Sequence, residues 1–451
     1  MKSNTKANYF GTDGIRGRVG SAVMNSQFMM SLGFSLAKVF ADNQKNLRVL
    51  VGKDTRVSGY MLESALESGL LSSGADVVSL GVAPTPCIAQ MVRNSDFDLG
   101  VVISASHNPY TDNGIKVFDG DGHKLSSKIQ NSIEDELQKD ESNYDYSDMG
   151  KVLRPAQPTS EYEAYCESFI KEPRKLAKLS IVLDCANGAT YKVAPRVFEK
   201  LGLSPLCLGV DPDGTNINES CGSTDTAVLQ KTVIEKKADL GIAFDGDGDR
   251  LIMVDELGEI VDGDEIVYAL ASRKKELGTL TGGVVGTHMT NLGLELALAD
   301  INVPFERADV GDRYVMETLR EKQWFLGGET SGHIINLHAC HTGDAIISAL
   351  QMLDILGSAQ ISLSELVKPV EKLPQVLINV STENPKVVMN SKKLVKRVDR
   401  FRSELGEGGR ILIRPSGTEP LLRVMVEGRD QEQSRAIAEE LSNIAKSEGI
   451  V

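Results

Sequence analysis

A run of branched apolar residues, Val101-Val102-Ile103, follows Asp98-Leu99-Gly100 and gives way abruptly to Ser104-Ala105-Ser106-His107-Asn108-Pro109. Apolar runs bounded by small polar residues and an Asn-Pro pair predict a buried strand that ends in a turn. The pattern returns in Asp239-Leu240-Gly241-Ile242-Ala243-Phe244, which runs into Asp245-Gly246-Asp247-Gly248-Asp249-Arg250. A fainter third copy, Leu326-Gly327-Gly328, runs into Glu329-Thr330-Ser331-Gly332-His333. Each copy follows two more strand-like segments with a helical stretch between them: 47–51 and 77–80, 179–183 and 206–210, 283–286 and 305–310. Internal repetition decides architecture. It predicts three tandem α/β units, each presenting a polar loop at the C-terminal end of a buried strand, where open α/β sheets hold ligands. If the units face a common centre, the three loops meet in one cleft.

Elsewhere the periodicity predicts helices at 27–41 and 59–73, and a helix followed by a solvated linker over 131–150. Pro155 and Pro158 mark the start of the second unit, and residues 255–259 read as a strand-turn-strand at its edge. After Gly357-Ser358 the pattern changes, with a helix at 388–404, strands at 410–414 and 421–427, and a last helix at 431–447. The fold class is therefore α/β, with three mixed-sheet domains of similar topology (1–154, 155–257 and 258–370) and a smaller C-terminal α+β domain (371–451).

The chain's 451 residues exceed what one core supports. A net charge of −14 argues against a general nucleic-acid or anionic-membrane surface. The six cysteines form no Cys-x-x-Cys pair, the first residues lack the apolar stretch of a signal peptide, and no apolar run is long enough to span a membrane. These features fit a cytoplasmic protein with reduced thiols.

Alternate carboxylates with intervening glycines, as in Asp245, Asp247 and Asp249, can converge on one hard cation, and an all-oxygen set favours magnesium over zinc. Ser106 presents a hydroxyl at a strand end, but its neighbour His107 makes no protease pair with it. Arg414-Pro415-Ser416-Gly417-Thr418, with Arg423 nearby, has the makings of an anion cradle. Glu329, Ser331 and His333 suit sugar hydroxyls; Glu329 and His333 could equally form a metal pair, and hydroxyl binding is the favoured reading. Together these describe phosphoryl transfer on a sugar phosphate.

At this point the chain resembles the α-D-phosphohexomutases over essentially its whole length. The likeness rests on residues 10–17 (Phe-Gly-Thr-Asp-Gly-Ile-Arg-Gly), 104–109, 112–116 (Asp-Asn-Gly-Ile-Lys), 245–250, 311–315 (Gly-Asp-Arg-Tyr-Val), 327–333 and 414–420. The resemblance implies a heart-shaped molecule with a central cleft and a magnesium-dependent mutase reaction. Ser106 would carry the phosphoryl group, and Asp245, Asp247, Asp249 and a phosphoserine oxygen would hold the cation. Arg16, Lys116 and Arg250 would surround the transferring group, and Lys116, Arg16 and His333 are the acid/base candidates. Glu329, Ser331 and His333 would read the sugar, and Arg414, Ser416, Gly417, Thr418 and Arg423 the other phosphate. The implied reaction converts glucosamine 6-phosphate to glucosamine 1-phosphate, with glucosamine 1,6-bisphosphate as intermediate and activator; a homodimer is a family expectation. A mutase acting on glucose or mannose phosphate would use the same motifs. From another class, a non-catalytic sugar-phosphate-binding protein could carry Ser106 as a regulatory phosphosite, though the intact aspartate trio argues against it. Three departures from the family pattern are Asp309 in place of a lysine, Thr330 in place of a glutamine, and Ala345 in place of a glycine.

Overall fold

The computed structural model describes residues 9–11, 13–41, 47–139, 149–416 and 420–449. The predicted repeat is real and extends to strand order. In the first unit Leu99–Ile103 lies beside Arg48–Lys53, which lies beside Asp76–Val82, all parallel. In the second, Leu240–Phe244, Ile181–Asp184 and Leu206–Leu208 repeat that order, and in the third Leu326–Gly328, Val284–Thr287 and Phe305–Ala308 do so again. Each copy of the repeated strand then pairs antiparallel on its other side: with Asp112–Asp119, Leu251–Asp255 and Ile334–Asn336 respectively. The polar loops thus connect an antiparallel pair at one end of each sheet.

Edge strands distinguish the units. Ile15–Arg18 and Val152–Leu153 flank the first sheet to make six strands, whereas Ile260–Val261 extends the second to five. That last strand closes the hairpin expected at 255–259 and carries the second sheet past residue 257. The fourth sheet is a three-stranded antiparallel one, with Leu421–Gly428 between Gln375–Ser381 and Gly409–Pro415. Helices Lys392–Leu405 and Gln431–Glu448 pack with it around Leu394, Val424 and Leu441. The helix expected from 388 begins at Lys392 instead. Ser391 caps it by accepting the Leu394 amide at 3.2 Å, and a separate short helix, Pro385–Met389, precedes it. A serine hydroxyl at that position competes with helix continuation and favours a new start.

One hydrophobic core runs from the Ile88 and Val92 face of the first unit through Leu183 and Phe244 of the second to Leu350 and Leu353 of the third. The outer faces bury separate clusters. A shared inner core sets the three polar loops relative to one another, which short linkers alone would not. The fourth domain is joined to the third by polar contacts: Arg410 donates to the carbonyls of His288 (2.8 Å) and Thr290 (2.7 Å) and pairs with buried Glu427. Asn291 donates to the Leu373 carbonyl at 3.0 Å. No described helix is long and apolar enough to cross a membrane.

Candidate active site

Ser106 sits just beyond the strand Leu99–Ile103 with a φ of 53°, in the left-handed region that non-glycine residues enter at a cost. Surrounding bonds hold it there. Its amide donates to Ser104 Oγ at 2.9 Å, and its carbonyl accepts from Arg56 Nη2 and Asn218 Nδ2, both at 2.9 Å. Arg56 is fully buried and clamps the whole turn, donating also to the carbonyls of Asn108 (2.7 Å), Pro109 and Asp112 (3.1 Å). Its charge is matched by Asp54 at 2.8 Å, which also accepts from Ser104 Oγ at 2.6 Å. Removing one partner of such a buried pair is costly, so Arg56→Met should destabilise the protein by ~3–5 kcal/mol. Denaturant unfolding followed in the first domain checks this; an unshifted midpoint would mean that the turn holds without its clamp.

The second loop meets the first directly. Ser106 Oγ donates to Asp245 Oδ2 at 2.6 Å, and a Cβ added at Gly246 would lie 2.5 Å from the Ser106 carbonyl oxygen, which explains a glycine there. Carboxylate oxygens of Asp245, Asp247 and Asp249 lie within 4.8 Å of one another, and all three residues are buried. Burial, then Asp249 and Asp247, push the Asp245 carboxyl well above its ordinary pKa. For Asp249 burial acts the same way, but Lys116 and His333 outweigh it and hold the group well below. Among the described residues Asp247 Oδ1 and Asp249 Oδ1 are buried without a hydrogen bond, the latter with His333 Nδ1 3.6 Å away. Crowded carboxylates with unused buried oxygens fit a divalent, oxygen-preferring cation.

Lys116 enters from the strand Asp112–Asp119, placed by the pairing of Val102 with Lys116. It is buried and donates to Asp247 at 2.8 Å and Asp249 at 2.7 Å, with Asp13 at 3.3 Å. Burial disfavours its charge, yet Asp13, Asp247 and Asp249 raise its pKa well above that of an ordinary lysine. Arg16 pairs with Asp13 and reaches Asn108 Oδ1 at 3.4 Å. His333 lies with Nδ1 3.6 Å from Asp249 and Nε2 3.5 Å from Asp312; burial lowers its pKa, but Asp249 and Asp312 leave it raised. His107, 3.2 Å from Ser106 Oγ, is held neutral, its pKa lowered to about 4 by burial, Arg250 and Arg16. Arg16, His107, Asp249, Arg250, Glu329 and His333 line one cavity of about 490 Å³.

The third loop contributes unevenly. Glu329 faces this cavity, its pKa raised mainly by burial, and accepts the Gly311 amide at 3.2 Å. Ser331 is exposed and not part of the cavity wall. Thr330 donates to Asp264, 3.1 Å away at the start of the helix Gly263–Glu276, and Ala345 is buried behind the Asp344 cap of the helix Ala345–Ala359. Asp309 is exposed and lies 3.5 Å from His288.

The expected phosphate cradle stands apart. Arg414 and Arg423 are opposed across neighbouring strands, burial and then Arg423 lowering the Arg414 pKa, and Ser416 Oγ is buried without a hydrogen bond among the described residues. None of the three lines the cavity walled by Arg16, His107 and Glu329; the fourth domain's polar contacts described above are with the 288–292 loop. Gly417 and Thr418 lie outside the described residues. Sequence reading missed Asp54 and Arg56, which lie just past the strand-like segment at 47–51. It missed Thr85, whose hydroxyl donates to Asp247 at 2.5 Å, and it gave no role to Asp13, Lys124 or Asp312.

Comparison with known proteins agrees with this geometry. Family models described as phosphoglucomutase/phosphomannomutase α/β/α domains I, II and III and C-terminal domain match residues 7–144, 163–258, 262–373 and 377–444. Proteins named phosphoglucosamine mutase are similar throughout. That of Legionella pneumophila (strain Paris) is 48% identical over 442 residues, 97% of each chain. That of Pseudomonas fluorescens (strain Pf-5) is 51% identical over 439 residues, 97% of this chain and 98% of the other. Among solved structures, a phosphoglucomutase/phosphomannomutase family protein from Burkholderia thailandensis shares the fold with a TM-score of 0.79 at 23% identity, covering 98% of this chain and 97% of its own. An Aspergillus fumigatus N-acetylphosphoglucosamine mutase, solved with GlcNAc-6P and magnesium, does so at 0.68 and 16%, covering 98% and 96%. Four domain matches in order and near-full-length relatives at about half identity leave one reading: the chain belongs to the phosphoglucomutase/phosphomannomutase family, the metal-dependent α-D-phosphohexomutases.

Proposed function

We propose that this enzyme interconverts glucosamine 6-phosphate and glucosamine 1-phosphate through phosphorylated Ser106 and a glucosamine 1,6-bisphosphate intermediate. The observation that carries the chemistry is the Ser106 hydroxyl 2.6 Å from Asp245, at the edge of a buried carboxylate trio bonded by Lys116 and beside a cavity lined by Arg16 and Arg250. The amino-sugar assignment draws on the relatives named phosphoglucosamine mutase.

In the first half-reaction the bond from phosphorus to Ser106 Oγ breaks as the substrate O1 bonds to phosphorus. The O1 proton passes to a base and Ser106 regains one. The bisphosphate then turns over in the cleft; Ser106 Oγ gives up its proton and attacks the phosphorus on O6, the bond from phosphorus to O6 breaks and O6 takes a proton, restoring phosphoserine and releasing the 1-phosphate. Asp245, Asp247, Asp249 and a phosphoserine oxygen are the residues suited to hold magnesium, which when bound supplies Lewis-acid neutralisation of the transferring group. Arg16, Lys116 and Arg250 add preorganised positive charge, the kind of stabilisation that dominates phosphoryl transfer. Glu329 is the carboxylate available to the sugar, and a protonated amine at C2 favours such an acceptor. Arg414, Ser416, Gly417, Thr418 and Arg423 serve the phosphate that is not transferred.

With phosphorylated enzyme and saturating magnesium, kcat/KM for glucosamine 6-phosphate should exceed that for glucose 6-phosphate by at least about tenfold, roughly 1.4 kcal/mol of differential transition-state binding. Equal or reversed preference would leave a phosphohexomutase standing and transfer it to the glucose or mannose phosphate class.

A further inference from the structure

Behind the cleft lies a second cavity of about 460 Å³, between the first and third domains. Asp13, Gly14, Asp312 and His333 line both cavities, so they form the wall between them. On the rear side of that wall, Lys116 and Lys124 line the second cavity and not the first; of the two, Lys116 is committed to the aspartate trio and Lys124 is not. The Lys124 ammonium pairs with Asp13 of its own domain and with Asp312, the first residue of the helix Asp312–Lys322 in the third domain. Burial works against its charge, but the two carboxylates raise its pKa well above the ordinary lysine value.

We infer that Lys124 is a positioning residue for phosphoryl transfer, acting through Asp13 and Asp312 without reaching the cleft. The inference rests on the mutase reading above. Asp13 touches three cations: Lys124, Arg16, which lines the cleft, and Lys116 (3.3 Å), which lines the rear cavity but reaches Asp247 and Asp249 of the aspartate trio. Asp312 touches two groups, Lys124 and His333 at 3.5 Å. Both carboxylates are acceptors that can neutralise the very groups needed at the transferring phosphate. Lys124 satisfies each from the rear. Without it, Asp13 has only Arg16 and Lys116 to pair with and draws them back from the phosphoryl group, while Asp312 draws His333 away from Asp249. The same ammonium ties the serine-bearing domain to the domain carrying Glu329 and His333, so losing it also loosens the alignment of the two loops. Transfer rates are steep in such alignment.

The test is a set of four proteins: wild type, Lys124→Met, Asp312→Asn and the double variant, assayed with glucosamine 6-phosphate and with glucose 6-phosphate, plus Lys124→Arg. Methionine keeps the apolar stem but removes the charge. The expected result for Lys124→Met is a fall in kcat of about thirtyfold, ~2 kcal/mol of transition-state stabilisation, with KM changed less than about threefold. Lys124→Arg should recover most of the lost kcat, since a cation is restored, and a role in packing alone would not give that recovery. Because Lys124 acts partly through Asp312, the double variant should be less impaired than the product of the two single effects. A folded Lys124→Met enzyme with near-wild-type kcat overturns the inference, as does strict multiplicativity combined with no recovery in Lys124→Arg. If Lys124→Met does not fold, Lys124→Arg and Asp312→Asn decide: near-wild-type kcat in Asp312→Asn sinks the idea. Wild-type protein inactive on both sugars would instead overturn the functional reading, an outcome separable from any ratio of variant to wild type.

Discussion

Replacing Ser106 with alanine is expected to lower mutase turnover by at least about a thousandfold, ~4 kcal/mol in the barrier, while the protein folds as before. The fold should survive because nothing that holds the turn is the hydroxyl itself. The turn is held by the Ser106 carbonyl and amide, through Arg56, Asn218 and Ser104, and alanine keeps both. The left-handed φ of 53° costs alanine about what it costs serine, since each carries one Cβ. What alanine loses is the oxygen 2.6 Å from Asp245, and with it the atom that would bond phosphorus. Two readouts are needed. Intact-mass analysis after incubation with the 1,6-bisphosphate should show one added phosphoryl group on wild type and none on Ser106→Ala. Coupled assay should show turnover at or below about a tenth of a per cent, the same thousandfold loss. Near-wild-type turnover in the variant would assign phosphoryl transfer to a different group.

The parts of the fold that were legible in sequence are those where burial is apolar on both sides. Leu99–Ile103 and Leu240–Phe244 are wholly buried strands, and their continuous apolar runs announced them. The antiparallel partner Asp112–Asp119 was not announced, although six of its eight residues are buried. Asn113 and Lys116 are among them, and both are inside because they have polar partners there: Ser58 for Asn113, the aspartates for Lys116. A strand whose interior positions are polar breaks the periodic signal at the place where it supplies the site.

The same logic divides the candidate site. The aspartate loop was legible because three like charges so close in sequence demand a counter-charge wherever they fold. Arg56, Thr85 and Lys124 were not, because their partners lie far along the chain: Arg56 meets Ser106, Thr85 meets Asp247 and Lys124 meets Asp312. The last two cross domains and exist only once the shared inner core has fixed how the domains sit; the first forms when the first domain folds. Thr330 shows the converse. It stands where the family has a glutamine, in the loop whose Glu329, Ser331 and His333 suit sugar hydroxyls, yet its own hydroxyl is occupied by Asp264 on the neighbouring helix.

Asp247→Asn should separate the electrostatics of the trio from its packing. Asparagine has the shape of aspartate and can still accept from Thr85 Oγ1, now at 2.5 Å from Asp247 Oδ2. It removes one of the negative charges that, after burial, push the Asp245 pKa up. A carboxyl whose folded pKa is raised binds more protons folded than unfolded, so keeping it ionised at neutral pH costs stability. Relieving its neighbour reduces that cost. In the absence of divalent cations the variant should therefore melt no lower than wild type at neutral pH. Magnesium should reverse the ranking: at a hundredfold excess over Kd a cation bound only to the native state adds ~2.7 kcal/mol, and wild type gains this where Asp247→Asn does not. Affinity measured by calorimetry should fall by at least about a hundredfold, since the loop loses one anionic ligand and its buried, hydrogen-bond-free Oδ1. Turnover should fall by about a thousandfold, ~4 kcal/mol. Unchanged magnesium affinity would move the cation to other ligands. A metal-free variant much less stable than wild type would mean that Asp247 is held chiefly for its bonds to Lys116 and Thr85.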